Sequence, residues 1–345
     1  MISVRHLTRA AGVAAIVCVS LVSAASAAIN IETVPVGNPG NAADTHGAGY
    51  GSVAYSYNIG KYEVTARQYT AFLTAVAATD TYGLYNTDMD TSVYPYGCNI
   101  KRAGSAGNYT YSVASDWANR PVNLVSFGDA MRFANWLHNG QPTGAQGLNT
   151  TEDGAYYLNG ATTNDQLQAV TRKTGWQWAV TSKDEWYKAA YHKNDGNTGN
   201  YFDYPTGSDS VPSNDLTTPD GGNNANFYES GYTIGSPYYR TEVGEFELSE
   251  SPYGTFDQGG NVWEWNEAID GVGGAFRGLC GGAFQDRSYD LHVEVILHSV
   301  PTDEYNNLGQ TSLHRGFRVS EVPEPATMSL LALGGAALVA RRKKN

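Results

Sequence analysis

The sequence predicts a mixed α+β domain that is rich in loops and has few short helices and strands. Three separate stretches carry helix-capping side chains and helical periodicity. The chain between them is dominated by Gly, Asn, Asp, Ser and Pro, especially over residues 195–225, a composition typical of turns and long ordered loops. The hydrophobic content of 41% is ample for a core, and the length of 345 residues allows one large domain or two small ones.

Each predicted helix begins at a side chain that can cap it and carries an apolar stripe at helical spacing. The third has a capping box, in which a serine and a glutamate satisfy the first free backbone N–H groups. The predicted helices are 65–77 with Thr65 as the cap, 126–138 with Ser126 and Asp129, and 183 to about 192 with Ser182 and Glu185.

The charge balance limits the classes of partner. The chain has 22 Lys+Arg and 34 Asp+Glu, a net charge of −12. Without its two ends, residues 1–27 and 321–345, the chain retains 16 basic and 32 acidic residues, a net charge of −16. Binding to nucleic acid or to an anionic membrane needs clustered Lys and Arg, so the sequence argues against both.

Residues 1–27 are typical of a secretory signal peptide. A basic start is followed by the apolar run 10–22 and by Ala-Ser-Ala at 25–27, a small-residue cleavage site. An uncleaved N-terminal anchor is the alternative, although the apolar run is short for a membrane span. Cleavage removes Cys18 and leaves Cys98 and Cys280, which can pair in an oxidising compartment but do not make a disulfide scaffold.

The other end, 321–345, carries Pro-Glu-Pro at 323–325, a hydrophobic segment at 326–340 and a basic tail at 341–344. This order resembles the PEP-CTERM sorting signal of Gram-negative bacteria. The resemblance implies transient membrane anchoring through the hydrophobic segment, processing by an exosortase-type peptidase, and delivery to the cell surface or extracellular matrix. An ordinary C-terminal membrane anchor is the alternative.

Six motifs follow one another between about residues 50 and 320. They are IGKYEVT at 59–65, RPVN at 120–123 with ANWL at 134–137, SKDEWYKAA at 182–190, GNVWEW at 260–265, GGAF at 281–284 and GFRV at 316–319. Together they resemble the formylglycine-generating enzyme (sulfatase-modifying factor) family. The resemblance implies that residues 28–320 form one large domain of C-type-lectin-like topology.

The same resemblance implies calcium sites. In relatives the GNVWEW loop binds calcium, which carries over to Gly260, Val262 and Glu264, and the Asn-apolar pair Asn226-Phe227 resembles the start of a second site. The pair Gly259-Gly260 also suits a calcium ion on physical grounds, because it lets the backbone approach the ion closely and Glu264 offers a carboxylate a few residues on. Alternatively, the two tryptophans of the motif pack in the core and its glutamate meets an arginine.

The catalytic segment departs from the family. The family's oxidases bind one copper ion through two cysteine thiolates after the Gly-Gly-aromatic strand, but here Asp286 lies at the first position and Asp290 near the second. Carboxylates are hard ligands and do not suit Cu(I). Cys280 precedes this segment and Cys98 is far away in the sequence. The sequence therefore argues against copper and against the family's oxidation of cysteine to formylglycine, and assigns no catalytic residue.

The segment that follows has a second hypothetical use. As an extended strand it would place Asp290, His292, Glu294 and His298 on one face, and two histidines with a carboxylate are typical ligands of non-haem iron. The two histidines would lie roughly 20 Å apart at the strand rise, so a solvent-facing polar strand is the favoured interpretation.

Tyrosine is abundant in two loop-rich stretches. Tyrosine on rigid loops suits sugar or peptide surfaces, since it offers flat apolar area with a polar tip. The alternative is that these rings fix the loops onto the core. The tyrosines are Tyr82, Tyr85, Tyr94, Tyr96, Tyr109 and Tyr111 in the first stretch and Tyr228, Tyr232, Tyr238 and Tyr239 in the second.

Three functions remain compatible with the sequence. The favoured one is an exported, calcium-stabilised module that binds glycan or protein in the extracellular polymer. The alternative is an enzyme, either the sulfatase-activating oxidoreductase or another oxygenase of the same fold. The third is a structural surface component without a specific ligand.

Overall fold

The computed structural model describes residues 28–217, 219–270, 274–304 and 314–322. The predicted signal peptide and the hydrophobic segment 326–340 with its basic tail lie outside the described residues. Within the described ranges, no helix has both the length and the apolar character to cross a membrane.

The three predicted helices are confirmed, with the caps that the sequence indicates. Thr65, Ser126 and Ser182 are N-caps, and each forms a complete capping box with the residue three positions on. A further short helix, α3, was not predicted. The helices are α1 Ala66–Val76, α2 Phe127–His138, α3 Asn164–Ala169 and α4 Lys183–Tyr191.

In the described part of the chain, ten short strands form two four-stranded sheets and one hairpin. The first sheet has the order β1-β2-β10-β5, the hairpin pairs β3 with β4, and the second sheet has the order β8-β7-β6-β9. The strands are β1 Thr33–Val36, β2 Tyr57–Gly60, β3 Ile100–Ala103, β4 Thr110–Val113, β5 Trp178–Val180, β6 Trp263–Asp270, β7 Phe276–Cys280, β8 Leu297–Ser299, β9 Arg315–Gly316 and β10 Val319–Glu321.

The last described segment joins the two four-stranded sheets. β9 runs parallel to β6, with Trp263 opposite Arg315, and belongs to the second sheet. Three residues later β10 lies between β2 and β5 in the first sheet, with Ser320 opposite Ile59. The two four-stranded sheets are therefore connected through this one short segment.

The main hydrophobic core lies where α1 and α2 face these C-terminal strands. Phe72 of α1 packs against Phe133 of α2 with ring centroids 5.3 Å apart, and Phe133 in turn packs 5.2 Å from Phe317. Trp136 closes the group at 5.3 Å from Phe72. The apolar stripes that predict the helices therefore face the core.

The predicted strand across 290–298 is wrong. Ser288–Leu291 forms a 3-10 helix, and strand pairing in this segment begins only at Leu297, where β8 starts. His292 packs edge-on against Tyr204, whereas His298 lies 3.5 Å from the carboxylate of Asp270. The hypothetical iron face is therefore not formed, and neither is the continuous polar strand face.

Candidate functional site

The two tyrosine-rich stretches meet at Phe284, which follows β7. Tyr96 of the first stretch lies 4.7 Å from Tyr239 of the second, ring centre to ring centre. Phe284 is in contact with both, at 6.0 Å from Tyr96 and 5.6 Å from Tyr239, and Tyr232 lies 6.0 Å from it. Phe284 is fully buried, Tyr96 and Tyr239 are half-buried, and Tyr232 is 40% exposed. Tyr94 lies 5.4 Å from Tyr96, and Tyr228 lies 5.2 Å from Tyr232. We call Tyr94, Tyr96, Tyr228, Tyr232, Tyr239 and Phe284 the tyrosine platform.

Other tyrosines of the first stretch have a structural role. Tyr85 and Tyr111 pack 5.6 Å apart, and their hydroxyls donate to the carbonyls of Ile100 and Ala77. Arg102 stacks on the outer side of this pair, 4.7 Å from the Tyr85 ring. These two tyrosines therefore fix loops onto the core, which is the alternative to ligand binding that the sequence left open.

A buried histidine supports the platform from below. The His314 ring lies 4.6 Å from Phe284, and its Nδ1 accepts a hydrogen bond from Asn123 Nδ2 at 2.9 Å. Because Nδ1 accepts, the neutral ring carries its proton on Nε2. Burial lowers the pKa of His314 well below its usual value, and the charges of Arg240 and Arg315 lower it further.

Arg240 lies beside this histidine without a carboxylate partner among the described residues. Its guanidinium donates to the carbonyls of Tyr96 and Gly97 and lies 5.7 Å from the Phe284 ring centre. Burial lowers the pKa of Arg240 to about 10, so the group stays charged at neutral pH. The platform thus rests on a buried positive charge.

Asp286, at the first expected copper-cysteine position, closes a turn. Its Oδ2 accepts hydrogen bonds from Trp263 Nε1 at 2.7 Å and from the Ala283 N–H at 3.0 Å. Burial, followed by the charge of Asp290, raises the pKa of Asp286 to about 6. Asp290 accepts from the N–H of Arg287 and so begins the 3-10 helix. Both carboxylates therefore fix the loop beneath the platform.

The donor set does not fit the family's copper ion. Cys98 and Cys280 are free and buried, so the pairing that the sequence left open is not formed. Cys98 lies 3.9 Å from the carbonyl of Asn123, while Cys280 accepts from Asn266 at 3.4 Å. Burial raises the pKa of both thiols, that of Cys280 to about 12. Neither thiol is a thiolate at neutral pH, and the expected ligand positions hold carboxylates.

Glu264 of the GNVWEW motif is paired with an arginine. Arg318 donates to both Glu264 oxygens at 2.6 Å, and Trp186 Nε1 donates to one of them at 2.7 Å. This is the arrangement that the sequence offered as the alternative to calcium. Trp263 and Trp265 are fully buried, as that alternative requires.

Two further carboxyls, those of Glu63 and Asp257, lie near this ion pair. Burial raises the pKa of Glu63 well above its usual value, and the charges of Asp257 and Glu264 raise it further. No three His, Cys, Asp or Glu side chains in the described ranges are grouped closely enough to bind a metal ion.

The other predicted calcium residues lie against each other. Asn226 pairs with Gly260 as an isolated bridge, and the Asn226 carbonyl accepts from the N–H of Asn261 at 2.9 Å. The close approach that Gly260 permits, at a φ of 88°, is thus to the chain itself. Asn226 donates to the carbonyl of Tyr239, whereas its own buried Oδ1 has no hydrogen-bond partner in the described part of the chain. Phe227 and Val262 are buried beside this contact.

Three residues of the site, His314, Arg240 and Asn123, were not predicted from the sequence. Asn123 belongs to the quoted motif RPVN and His314 lies just before GFRV, and this proximity was the only available signal. The hydrogen bond that joins them spans 191 residues along the chain.

Comparison with known proteins confirms both resemblances that the sequence motifs indicate. Residues 33–321 match the model of the sulfatase-modifying factor enzyme 1-like domain. Residues 321–344 match the PEP-CTERM protein-sorting motif, which indicates export and sorting to the surface of a Gram-negative cell. A search of curated protein sequences found no significant match.

Solved structures with a similar fold include three described as CarF, variable protein 1 of Treponema denticola and PvdO from Pseudomonas aeruginosa. CarF is 20% identical, with a TM-score of 0.52 over 86% of this chain and 99% of its own. Variable protein 1 is 16% identical, with a TM-score of 0.48 over 84% and 95%. PvdO is 17% identical, with a TM-score of 0.44 over 85% and 92%.

The family model and the likeness to CarF confirm the predicted loop-rich α+β class and the formylglycine-generating-enzyme fold. Since the family model covers most of the chain, this protein belongs to the sulfatase-modifying factor enzyme 1-like domain family.

Proposed function

We propose that this protein is an exported binding module that recognises glycan at the cell surface or in the extracellular matrix. The observation that supports the proposal is the tyrosine platform on Phe284. It combines flat aromatic faces with polar tips, held on loops that the core fixes in place, and this combination suits sugar rings. It lies beside the segment in which the family's copper cysteines are replaced by Asp286 and Asp290.

Tyr232 is the most exposed ring of the platform, so Tyr232→Ala tests the proposal directly. The full-length chain is measured against immobilised polysaccharides, neutral and acidic. Loss of one stacking ring removes about 1 kcal/mol, which corresponds to roughly fivefold weaker binding. Tyr157→Ala is the matched control, because Tyr157 is 53% exposed and lies outside the platform. Equal effects of the two variants would contradict the proposal, and so would a wild-type chain that binds none of the polysaccharides.

Family membership favours a second candidate, the sulfatase-activating oxidoreductase or another oxygenase of this fold. The donor set argues against the first of these, because both thiols are buried and protonated and neither is paired with the other. Incubating the full-length chain with copper and a cysteine peptide, followed by mass spectrometry of the peptide, tests this candidate. Conversion of the cysteine to formylglycine would overturn the binding-module proposal.

We also propose that calcium stabilises the loops beneath the platform. The residues that would hold it are Asn226, through its side-chain oxygen, and Phe227, Gly260 and Val262, through their backbone carbonyls. Glu264 stabilises the fold through Arg318 instead. The unpartnered Oδ1 of Asn226 supports this proposal, since an amide oxygen is a ligand that calcium accepts. Elemental analysis should find calcium, and a chelator should lower the Tm of the wild type but not that of Asn226→Ala. A calcium-free chain whose Tm ignores the chelator would refute it.

A further inference from the structure

The arginines around the tyrosine platform differ from most others in this protein. Half of the ten described arginines are ion-paired: Arg102, Arg132, Arg172, Arg315 and Arg318. Of the five others, Arg240 and Arg287 contact rings of the platform, and Arg120 stacks on Tyr238 beside it. The chain has a net charge of −12, so acidic side chains outnumber basic ones. Arginines without a carboxylate partner in the described ranges are therefore not explained by a shortage of acidic residues.

Arg287 is the exposed member of this group. Its guanidinium lies 5.0 Å from the Tyr228 ring centre, and no carboxylate of the described chain is within ion-pair distance of it. Arg120 stacks on Tyr238 at 3.9 Å and donates to the carbonyls of Asp116 and Arg240. Stacked guanidiniums keep their charge and their donors while they present a flat face.

Polar groups below the platform add to the positive potential. Arg240 Nε, His314 Nε2, Asn261 Nδ2 and two nitrogens of Arg315 are buried and have no hydrogen-bond acceptor in the described ranges. Two acceptors nearby, the side-chain oxygens of Asn123 and Asn226, likewise have no partner among the described residues. Fixed N–H dipoles and charges act over longer distances in the protein interior, where screening is weak.

Among the described residues, the carboxylates nearby form no ion pair with Arg120, Arg240 or Arg287. Asp286 already accepts two hydrogen bonds, from Trp263 and Ala283, and Asp290 accepts from the backbone of Arg287. The stretch that precedes His314, residues 305–313, contains no Asp or Glu in its sequence. Glu229, beside Tyr228, is exposed to solvent.

We propose that the ligand of the tyrosine platform is an acidic polysaccharide, with its sugar rings on Tyr232 and Tyr96 and a carboxylate at Arg287. This inference rests on the proposed function and specifies the class of glycan. A uronic acid carries both features that the surface fits, a flat ring for stacking and a carboxylate for a guanidinium. An acidic peptide offers only the carboxylate. The net negative charge of the chain disfavours non-specific adsorption of polyanions, so binding would be confined to this surface.

The test uses the full-length chain with three polymers: polygalacturonate, neutral dextran and poly-L-glutamate. Polygalacturonate should bind most tightly, and added salt should weaken its binding. Arg287→Gln should raise its Kd by about fivefold, whereas Arg287→Lys should retain most of the affinity. Arg67→Gln on α1 is the matched control, since Arg67 is also exposed and unpaired among the described residues but lies away from the platform.

The possible outcomes separate the two proposals. Equal, salt-independent binding of dextran and polygalacturonate that Tyr232→Ala weakens would overturn the acidic-ligand inference and leave the glycan-binding proposal standing. Binding of poly-L-glutamate without polygalacturonate would overturn both. If Arg67→Gln raised the Kd for polygalacturonate as much as Arg287→Gln, the inference would also be overturned. Binding would then reflect the overall charge of the protein and not a site at Arg287.

Discussion

Glu264 and Arg318 form a buried ion pair with two hydrogen bonds, each 2.6 Å long. Both side chains are excluded from solvent. Arg318 lies between β9 and β10 and donates as well to the carbonyls of Gly60 and Phe256. Glu264 lies on β6 and accepts from Trp186 of α4. One pair therefore connects the two four-stranded sheets and a helix.

Arg318→Met should destabilise the fold by about 3–5 kcal/mol, because it leaves the Glu264 carboxylate buried without its partner. Urea unfolding of the full-length chain measures the change. Lys61→Met is the control, since the Lys61–Glu32 pair is partly exposed and should contribute less than about 1 kcal/mol. Similar losses of unfolding free energy in the two variants would show that the buried pair contributes no more to stability than the exposed one.

The predictability of the fold depends on the distance over which each feature is encoded. The capping boxes at Thr65, Ser126 and Ser182 are complete within four residues, so the sequence predicts α1, α2 and α4 correctly. The ion pair between Glu264 and Arg318 spans 54 residues of the chain. The sequence could therefore indicate that Glu264 meets an arginine, but not which one. The segment 290–298 alternates polar and apolar residues like a strand, but Asp290 instead caps a 3-10 helix.

Gly260→Ala should destabilise the fold more than an ordinary substitution at a left-handed position. A Cβ at Gly260 would lie 2.1 Å from the carbonyl oxygen of Asn226, which is backbone and cannot rotate away. We expect a loss of about 2–4 kcal/mol, from left-handed strain together with displacement of the loop.

The control for this prediction is Gly83→Ala. Gly83 has a similar positive φ, 69°, but nothing lies within 4 Å of the position that an added Cβ would take. It should show only the strain contribution of about 1 kcal/mol. Equal losses at the two positions, measured by urea unfolding, would show that the Asn226 contact is not tight.

The candidate site was predictable in its parts but not in its assembly. The sequence identifies both tyrosine-rich stretches and the replacement of the family's copper-binding cysteines by Asp286 and Asp290. The contact between Tyr96 and Tyr239 joins residues that are far apart in the chain, and no local pattern encodes it. Arg240 and His314 are buried polar residues whose side-chain partners lie far away in the sequence, so only the position of His314 just before GFRV gave any signal before the fold was known.

Asp286 should make stability depend on pH in a specific direction. Its pKa is raised from about 3.9 in the unfolded chain to about 6 in the folded one. Between these values the folded state holds a proton that the unfolded state has lost, so stability falls as the pH rises through this window. Asp286→Asn removes the titration and keeps an oxygen that can accept from Trp263 and Ala283.

The comparison is between urea-unfolding free energies of wild type and Asp286→Asn at a series of pH values. The variant should gain relative to the wild type by on the order of 2 kcal/mol as the pH rises from about 4 to above 6. Asp215→Asn is the control, because Asp215 is exposed and should follow the wild type. A difference that does not change with pH would mean that Asp286 is not the titrating group.

Cys98 and Cys280 should both remain thiols despite export. Cys98 and Cys280 are buried in different hydrophobic clusters, so neither meets the other or a reagent in solution. Burial also raises the pKa of each thiol, and only the thiolate attacks a disulfide or an alkylating reagent. The native protein should therefore resist a thiol reagent, and the unfolded protein should react at both positions. Cys280→Ser should halve that yield. Failure of the unfolded wild type to react would show that the two cysteines had formed a disulfide.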